Sequence, residues 1–371
     1  MILQVFDTAL TRLGDIEVIN SLIWTRRYWS AGEFKLLAPF TETNVSLLAI
    51  NNLILRPGDR EAVQIGYVNI RKNDRGLDEI EVQGRFLSAW LGNSIMINQI
   101  ITTATSRDIL RRIADENLIS PADTSRKIPL LALETDPESF PGDAAVSYVS
   151  EPYISGLLAA EAVAKAAKLG FVIETDARAK AHIFRVLKGL DRTHGQAVNR
   201  QCVFSQDYDN AYDQEYLHSV ESLKTVAYVA GEVKQDTPRE IVTVGTASGL
   251  GRRELFVNAS DIRQTNKING ADVTMTLPEY RAALYERGVK ELEHYAEALN
   301  FTCKINAFSN LKYRRDFDIG DLVTCADRRW GVRINARITE VTESFLENRN
   351  DIDVIFGESF PTLADTLNKM R

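Results

Sequence analysis

Apolar residues come in short runs along the first quarter of the chain. ILQVFD, EVINSLIW, EFKLLAP, VSLLAI, NLILR, AVQIGYVNIR and DEIEVQGR lie before residue 92, separated by the turn signals LGD, PGD and NDRG. In DEIEVQG, Ile80 and Val82 point one way while Glu79, Glu81 and Gln83 point the other, the alternation of a strand with one buried face. Short strands with closely spaced turns predict an antiparallel barrel or sandwich.

The period then lengthens. SRDILRRIADENLI, with Ser106 as cap and Ile109, Leu110, Ile113 and Leu118 on one side, predicts a helix. Residues 119–150 read as loop, with Pro121, Pro129, Pro137 and Pro141. The alanine-rich SGLLAAEAVAKAAKLG predicts a second helix, starting at Ser155 and stopped by Gly170. FVIET and HIFRVLKG follow as strands.

From about residue 200 strands return as RQCVFS, TVAYVAGE, EIVTVGT and ELFVNAS. One helix interrupts them over about 276–299, opened by Thr276 and Glu279 in capping-box spacing, with Tyr280, Leu284, Leu292, Tyr295 and Leu299 as its stripe. FTCKINAF, GDLVTCAD, WGVRINARITEVTE and DIDVIFGE close the pattern as strands. The expected class is α+β and mainly β, with two small antiparallel β-barrels flanking an α+β middle domain. The boundaries are 1–95, 96–200 and 201–371.

Two stretches share an order of features. Residues 56–85 and 318–358 each begin on a Gly-Asp turn, Gly58-Asp59 and Gly320-Asp321, and each carries an aromatic further on, Tyr67 or Trp330. Both close on an alternating strand that runs into Gly84 or Gly357. Glycine supplies positive φ and aspartate bonds to nearby backbone, so these four turn residues read as structural. Two such barrels in one chain give a threefold assembly six similar units around its axis.

Trp24, Arg27 and Trp29 belong to SLIWTRRYWSAGEFKLLAP. Aromatics interleaved with arginine suit a groove for single-stranded nucleic acid or polysaccharide. They equally suit a strand covered on both faces, and the alternation of Leu22, Trp24 and Tyr28 against Ile23, Arg27 and Trp29 makes Trp24, Arg27 and Trp29 candidates for a subunit contact.

Composition narrows the chemistry. With 44 Lys+Arg against 51 Asp+Glu, the net charge is -7, which weighs against a dedicated nucleic-acid binder. Cys202, Cys303 and Cys325 form no CxxC pair and read as buried thiols. No apolar stretch is long enough to span a membrane, and the N-terminus has no signal-peptide pattern. GTASGLGRRE runs into a strand where a phosphate loop needs a helix, so it reads as a hairpin turn. DYDNAYDQEY places Tyr212 and His218 where a calcium loop needs glycine and glutamate. His182, His194, His218 and His294 are scattered, with His294 on the exposed side of a charged helix. No catalytic, metal or cofactor site is expected, and the chain reads as no enzyme.

The layout resembles phage tail hub proteins: the structural N-terminal part of siphophage tail-associated proteins, Gp37-like siphovirus tail proteins, and the baseplate hub of contractile tails. The resemblance rests on VFDTALTRLGDIEVINSLIWTRRYWSAGEFKL, TVAYVAGE, GLGRRELFVNASDI, FDIGDLVTC, WGVRINARITEV, DVIFGE and the final PTL, in order over nearly the whole chain. It implies a homotrimer at the tail tip of a phage or prophage virion, assembled in the host cytoplasm. It further implies contacts with the distal tail protein, the tail tube and the tape-measure protein, with receptor-binding or fibre proteins as further partners and DNA only in transit. Some relatives continue into a lytic peptidase. This sequence runs out soon after its second barrel, so the resemblance implies a scaffold role, with a tail-associated cell-wall hydrolase as the lesser alternative.

Overall fold

Strand Ser21–Arg27 near the N-terminus pairs with strand Val332–Leu346 near the C-terminus, and this ladder organises the larger part of the fold. The computed structural model describes residues 2–72, 76–135, 140, 143–151, 153–233, 238–268, 271–293, 295–306, 309–346 and 349–357. Two units emerge, one up to Glu215 and again from Phe301, the other from Tyr216 to Asn300.

The larger unit begins with β1 (Leu3–Phe6), β2 (Arg12–Ile16), β3 (Ser21–Arg27), β4 (Glu33–Pro39), β5 (Leu53–Leu55), β6 (Val63–Lys72) and β7 (Asp78–Phe86), in the antiparallel order β3-β4-β7-β6-β5-β1-β2. Alternation works as expected on one face, where Leu22, Trp24, Leu36, Ile80 and Val82 are buried. The other face of β7 is closed as well. Glu79 accepts a hydrogen bond from Asn20 Nδ2 (2.6 Å), and Glu81 pairs with Lys35 (2.7 Å) and Arg71 (3.0 Å). The first half of the expected strand VSLLAI is instead the end of helix α1 (Glu42–Leu47), and the rest follows its C-cap, Leu48. Thr41 Oγ1 accepts from the Asn44 N–H at 3.0 Å, a local cap that outweighs the β-propensity of the run.

The middle of the chain supplies β8 (Ile101–Thr105), α2 (Ser106–Ala114), β9 (Leu131–Leu133), β10 (Ala145–Val149), α3 (Gly156–Ala167), β11 (Gly170–Asp176) and β12 (Ala181–Leu187). Both helices pack into one apolar cluster with β11 and β12 through Ile109, Leu110, Ile113, Ala160, Phe171 and Phe184. Two expected helix ends move. The cap of α2 is Thr105, whose hydroxyl accepts from the Asp108 N–H, so Ser106 is already helical. The left-handed C-cap of α3 is Lys168 at φ 56°, and Gly170 opens β11.

Next come β13 (Val203–Phe204) and β14 (Ala211–Ser219), then in the smaller unit β15 (Val226–Ala230), β16 (Ile241–Val244), β17 (Glu254–Asn258), β18 (Thr265–Ile268), β19 (Ala271–Thr274) and α4 (Leu277–Glu293). The chain closes with β20 (Ala298–Ile305), β21 (Leu322–Asp327), β22 (Val332–Leu346) and β23 (Arg349–Gly357). The first part of β22 pairs with β21, and its second part lies between β23 and β3. The strands expected at the two ends of the sequence are thereby one mainly antiparallel sheet. Among the described residues its ladder is an open path from β2 to β14, with the β13–β21 pairing beside it.

In the smaller unit β15 is central, antiparallel to β16 and parallel to β17. The GTASGLGRRE segment therefore crosses β15 to reach β17 and is no hairpin turn, because its flanking strands are not neighbours. The capping box forms: the Thr276 N–H donates to Glu279 Oε2 at 2.8 Å, and the Glu279 N–H returns to Thr276 Oγ1 at 3.5 Å. Helix α4 stops at Glu293, short of the expected 299, where the Tyr295 N–H folds back to the Leu292 carbonyl at 3.0 Å. His294, Pro137, Pro141 and the final PTL lie outside the described residues.

Tyr280 is buried where α4 meets the sheet. Its hydroxyl accepts from the Glu232 N–H (2.7 Å) and donates to the Ile262 carbonyl (3.1 Å), tying together the ends of TVAYVAGE and GLGRRELFVNASDI. Tyr280→Phe leaves both backbone groups without that partner and costs about 1–3 kcal/mol. Hydrogen exchange should show the loss of protection within residues 226–258 and leave β3 and β22 unchanged.

Candidate functional site

The Trp24–Trp29 cluster lies inside this chain's own packing. Trp24 is fully buried, edge-on to Phe86 (5.1 Å) and beside Phe34 (5.9 Å), with the Arg56 guanidinium 4.8 Å above its ring. An enclosed indole offers no face to a base or a sugar, so the stacking-platform expectation fails at Trp24. Arg27 is half-buried and bridges Glu340 (2.8 Å) and Glu33 (2.7 Å). Trp29 is half-buried against the cluster of α2 and α3.

Between these residues sits Tyr28, which sequence reasoning treated only as part of the alternation. Its N–H donates to the Thr339 carbonyl of β22 (2.9 Å), and its hydroxyl donates to the Leu187 carbonyl at the end of β12 (2.9 Å). The ring lies against two glycines. A Cβ at Gly170 would come within 2.3 Å of it, and one at Gly320 within 2.2 Å. Arg337 stacks over the ring at 5.5 Å and donates to the Lys188 and Gly320 carbonyls. Burial raises the Tyr28 pKa far above the ordinary phenol value, so the hydroxyl stays a donor.

The four turn residues are placed in two similar turns. Gly58 and Gly320 take φ of 87° and 89°. Asp59 accepts from Arg56 Nε (2.6 Å), while Asp321 accepts from Arg192 Nε (2.7 Å) and from the Leu190 N–H (2.8 Å). The parallel ends at the aromatics: Tyr67 lies within β6, whereas Trp330 sits in the turn between β21 and β22.

Asp59 leads into an ionic network that the sequence did not signal. Arg26 donates to Glu61 (2.8 Å), the Tyr313 hydroxyl (2.7 Å) and Asp318 (2.7 Å). Arg56 bridges Asp59 and Glu343 (2.6 Å each), and Arg314 reaches the same two carboxylates. Burial opposes the charge on Arg26, but Glu61 and Asp318 outweigh it and hold its pKa up. Arg314 is pushed down to about 10 by burial and by the neighbouring Arg26 and Arg56. Its members come from β3, the turn after β5, the stretch before β21, and β22. The network ties the two ends of the chain.

Little here resembles reaction chemistry. Among the described residues no group of His, Cys, Asp and Glu could hold a metal ion. All three cysteines are buried, and burial pushes the Cys202 thiol up to about 11. Asn210, within DYDNAYDQEY, is buried; it accepts from the Ser205 N–H (2.9 Å) and donates to the Val203 carbonyl (2.8 Å). A cleft of about 880 Å³ is lined by Arg12, Arg60, Arg178 and Arg185 together with Glu174 and Asp176. Three of those arginines are spent locally, Arg12 on Asp15 and both Arg60 and Arg185 on Glu174.

The family model described as Siphovirus ReqiPepy6 Gp37-like protein matches residues 2–358. No curated protein matches the chain in sequence. Among solved structures, a tail protein from Neisseria meningitidis MC58 is similar at TM-score 0.59 and 13% identity, covering 96% of each chain. The 43 kDa tail protein of prophage MuSo2 from Shewanella oneidensis is similar at 0.59 and 13%, covering 96% of this chain and 98% of its own. Prophage tail protein gp18 from Listeria monocytogenes EGD-e follows at 0.54 and 10%, with 100% and 98% covered. At these identities the likeness is one of fold.

Two outcomes follow from the geometry. Gly320→Ala must both strain a φ of 89° and displace the Tyr28 ring, costing about 3 kcal/mol or more. Gly58→Ala, with φ 87° and open space around it, carries only the backbone strain, about 1 kcal/mol. Urea midpoints for both variants check this contrast. His182 is fully buried, with Nδ1 3.0 Å from Thr175 Oγ1 and its ring edge-on to Trp90, and burial lowers its pKa from 6.5 to about 4. The unfolded chain takes up a proton near pH 6.5 that the fold refuses, so stability falls as pH drops from 6.5 towards 4, by up to about 3 kcal/mol. His182→Gln should flatten urea midpoints across that window.

Proposed function

Since this chain belongs to the Siphovirus ReqiPepy6 Gp37-like family of siphovirus tail proteins, we propose that it is the hub of the tail tip, a homotrimer that closes or adapts the end of the tail tube. The observation that carries this reading is the β3–β22 ladder, which fuses the two ends of the chain into one sheet bearing both Gly-Asp turns. In a threefold assembly that sheet sets two similar strand arrays per copy around the axis, six in all, as two small barrels per chain would. Such a ring joins a sixfold tube on one side to a threefold component on the other.

Its role is structural and not enzymatic. Support comes from the use of polar and ionisable side chains: the ion pairs of Arg26, Arg27 and Arg56 hold strands together and leave no free nucleophile or base at their centre. Arg27 and Trp29, both half-buried, form the part of the cluster that a neighbouring subunit reaches; Trp24 is committed to the core. The distal tail protein, tail tube and tape-measure protein are the partners above, receptor-binding or fibre proteins the partners below, and the site of action is the virion. A net charge of -7 suits a conduit past which DNA slides without being gripped.

Light scattering coupled to size exclusion tests the reading. Three chains per particle are expected, and a single chain at every concentration up to the micromolar range overturns it.

A further inference from the structure

The segment 94–105, SIMINQIITTAT, runs antiparallel to the segment that ends in AAVSYVS and continues to Ser155. The two form a ribbon. The Met96 N–H donates to the Ile154 carbonyl (2.8 Å), the Tyr153 N–H to the Met96 carbonyl (2.9 Å) and the Ser150 N–H to the Ile100 carbonyl (2.9 Å). Within it β8 and β10 pair from Ile101↔Val149 to Thr105↔Ala145. One face is used: Ala104 and Tyr148 pack on the core cluster. The other face of β8 and β10 is open, with Ile101 67% and Val149 55% exposed.

Two further features mark this ribbon. In a protein in which 26% of residues are charged, neither 94–105 nor 144–150 contains a charged side chain. Free strand edges are ordinarily blunted by lysine, proline or bulges; β8 and β10 themselves contain none, and Glu151-Pro152 follow just beyond the end of β10. Both edges are also open, since among the described residues β8 and β10 form a sheet of only two strands. With Ser150 and Ile100 bonded to each other, alternation turns the N–H and C=O groups of Val149, Ser147 and Ala145 outward on one edge. Those of Ile101 and Thr103 turn outward on the other.

We propose that the occupant is a second copy of this chain, the β10 edge of one copy adding to the β8 edge of the next. Each edge is five residues long, uncharged and rich in β-branched residues, so each is complementary to the other. A contact that uses two different edges is heterologous, and repeated by a closing rotation it makes a ring. A rotation about an axis along the strands keeps every β8 pointing the same way, so the added pair is antiparallel and the ribbon continues from copy to copy. The main-chain bonds hold the copies together, and Ile101 and Val149 lose their exposure to water. This inference rests on the homotrimer proposed above and assigns one of its contacts.

The test uses the full chain with single substitutions at exposed positions. Thr103→Cys and Ser147→Cys chains, co-expressed and treated with a short thiol cross-linker, should give a two-chain product that neither variant gives alone. In parallel, Ile101→Lys and Val149→Lys should lower the particle mass from three chains to one with an unchanged circular dichroism melt. Val198→Lys, at a residue 91% exposed outside the ribbon, should leave the mass at three chains. Cross-linking of Ser147→Cys alone means a two-fold β10–β10 contact and overturns the proposal, as does a trimer that survives both lysines. If the unaltered chain is monomeric, this contact and the trimer reading fall together. If it is trimeric and the ribbon variants change nothing, only this contact falls.

Discussion

The arrangement of the larger unit depends on the space around one ring. Tyr28 directly follows β3, and its backbone bonds β22, its hydroxyl bonds the end of β12, and its ring lies against Gly170 and Gly320. Three segments separated by well over a hundred residues therefore meet on a side chain that leaves no room for a Cβ at Gly170 or Gly320. A contact of that kind contributes the area buried plus one hydrogen bond, a few kcal/mol in all. Its larger effect is geometric, because it permits one mutual placement of the end sheet and the middle hairpin, and neighbouring placements would bring backbone into the ring. The Arg337 guanidinium lies over the phenol ring, 5.5 Å from its centre.

The arginine network a few residues away works by a different balance. Taking Arg26, Arg56, Glu343 and Asp59 out of water costs several kcal/mol per ion, and their mutual attraction roughly repays it. Such a network adds little net stability, but it rejects any register in which a guanidinium would face an apolar neighbour. Arg56 illustrates this, since it must meet Asp59, Glu343 and the Trp24 ring together. Hydrophobic packing around Trp24 brings β3 and β22 together, and the ionic contacts select which residues stand opposite, Trp24 to Glu343 and Arg26 to Val341.

Where the sequence pattern was informative, a local rule was at work. The alternation of β7, the capping box of α4 and the positive-φ glycines of both Gly-Asp turns are decided within a few residues, and each was legible. Where tertiary contacts decide, local reading failed. Gly170 resembles a helix stop, yet Lys168 takes the left-handed position and the glycine answers to Tyr28. VSLLAI resembles a strand, yet the cap at Thr41 starts a helix. GTASGLGRRE resembles a hairpin turn, yet β15 lies between the strands that it joins. The ion network was illegible for the same reason: Arg26 and Asp318 are neighbours only because β3 and β22 are.

The cluster of aromatics and arginines shows how little residue type says about use. In a nucleic-acid groove, tryptophan rings and guanidiniums face solvent and wait for bases and phosphates. Here the same residues face one another, and every arginine in the stretch ends on a carboxylate of this chain. Carboxylates within reach are what separate the two cases, because an arginine already paired cannot neutralise a phosphate without giving up its partner. The acidic excess of the composition is thus visible at the level of single contacts. Glu33, Glu61, Asp318 and Glu340 convert a motif that would grip DNA into one that ties β3 to β4, to β22 and to the segments around Glu61 and Asp318.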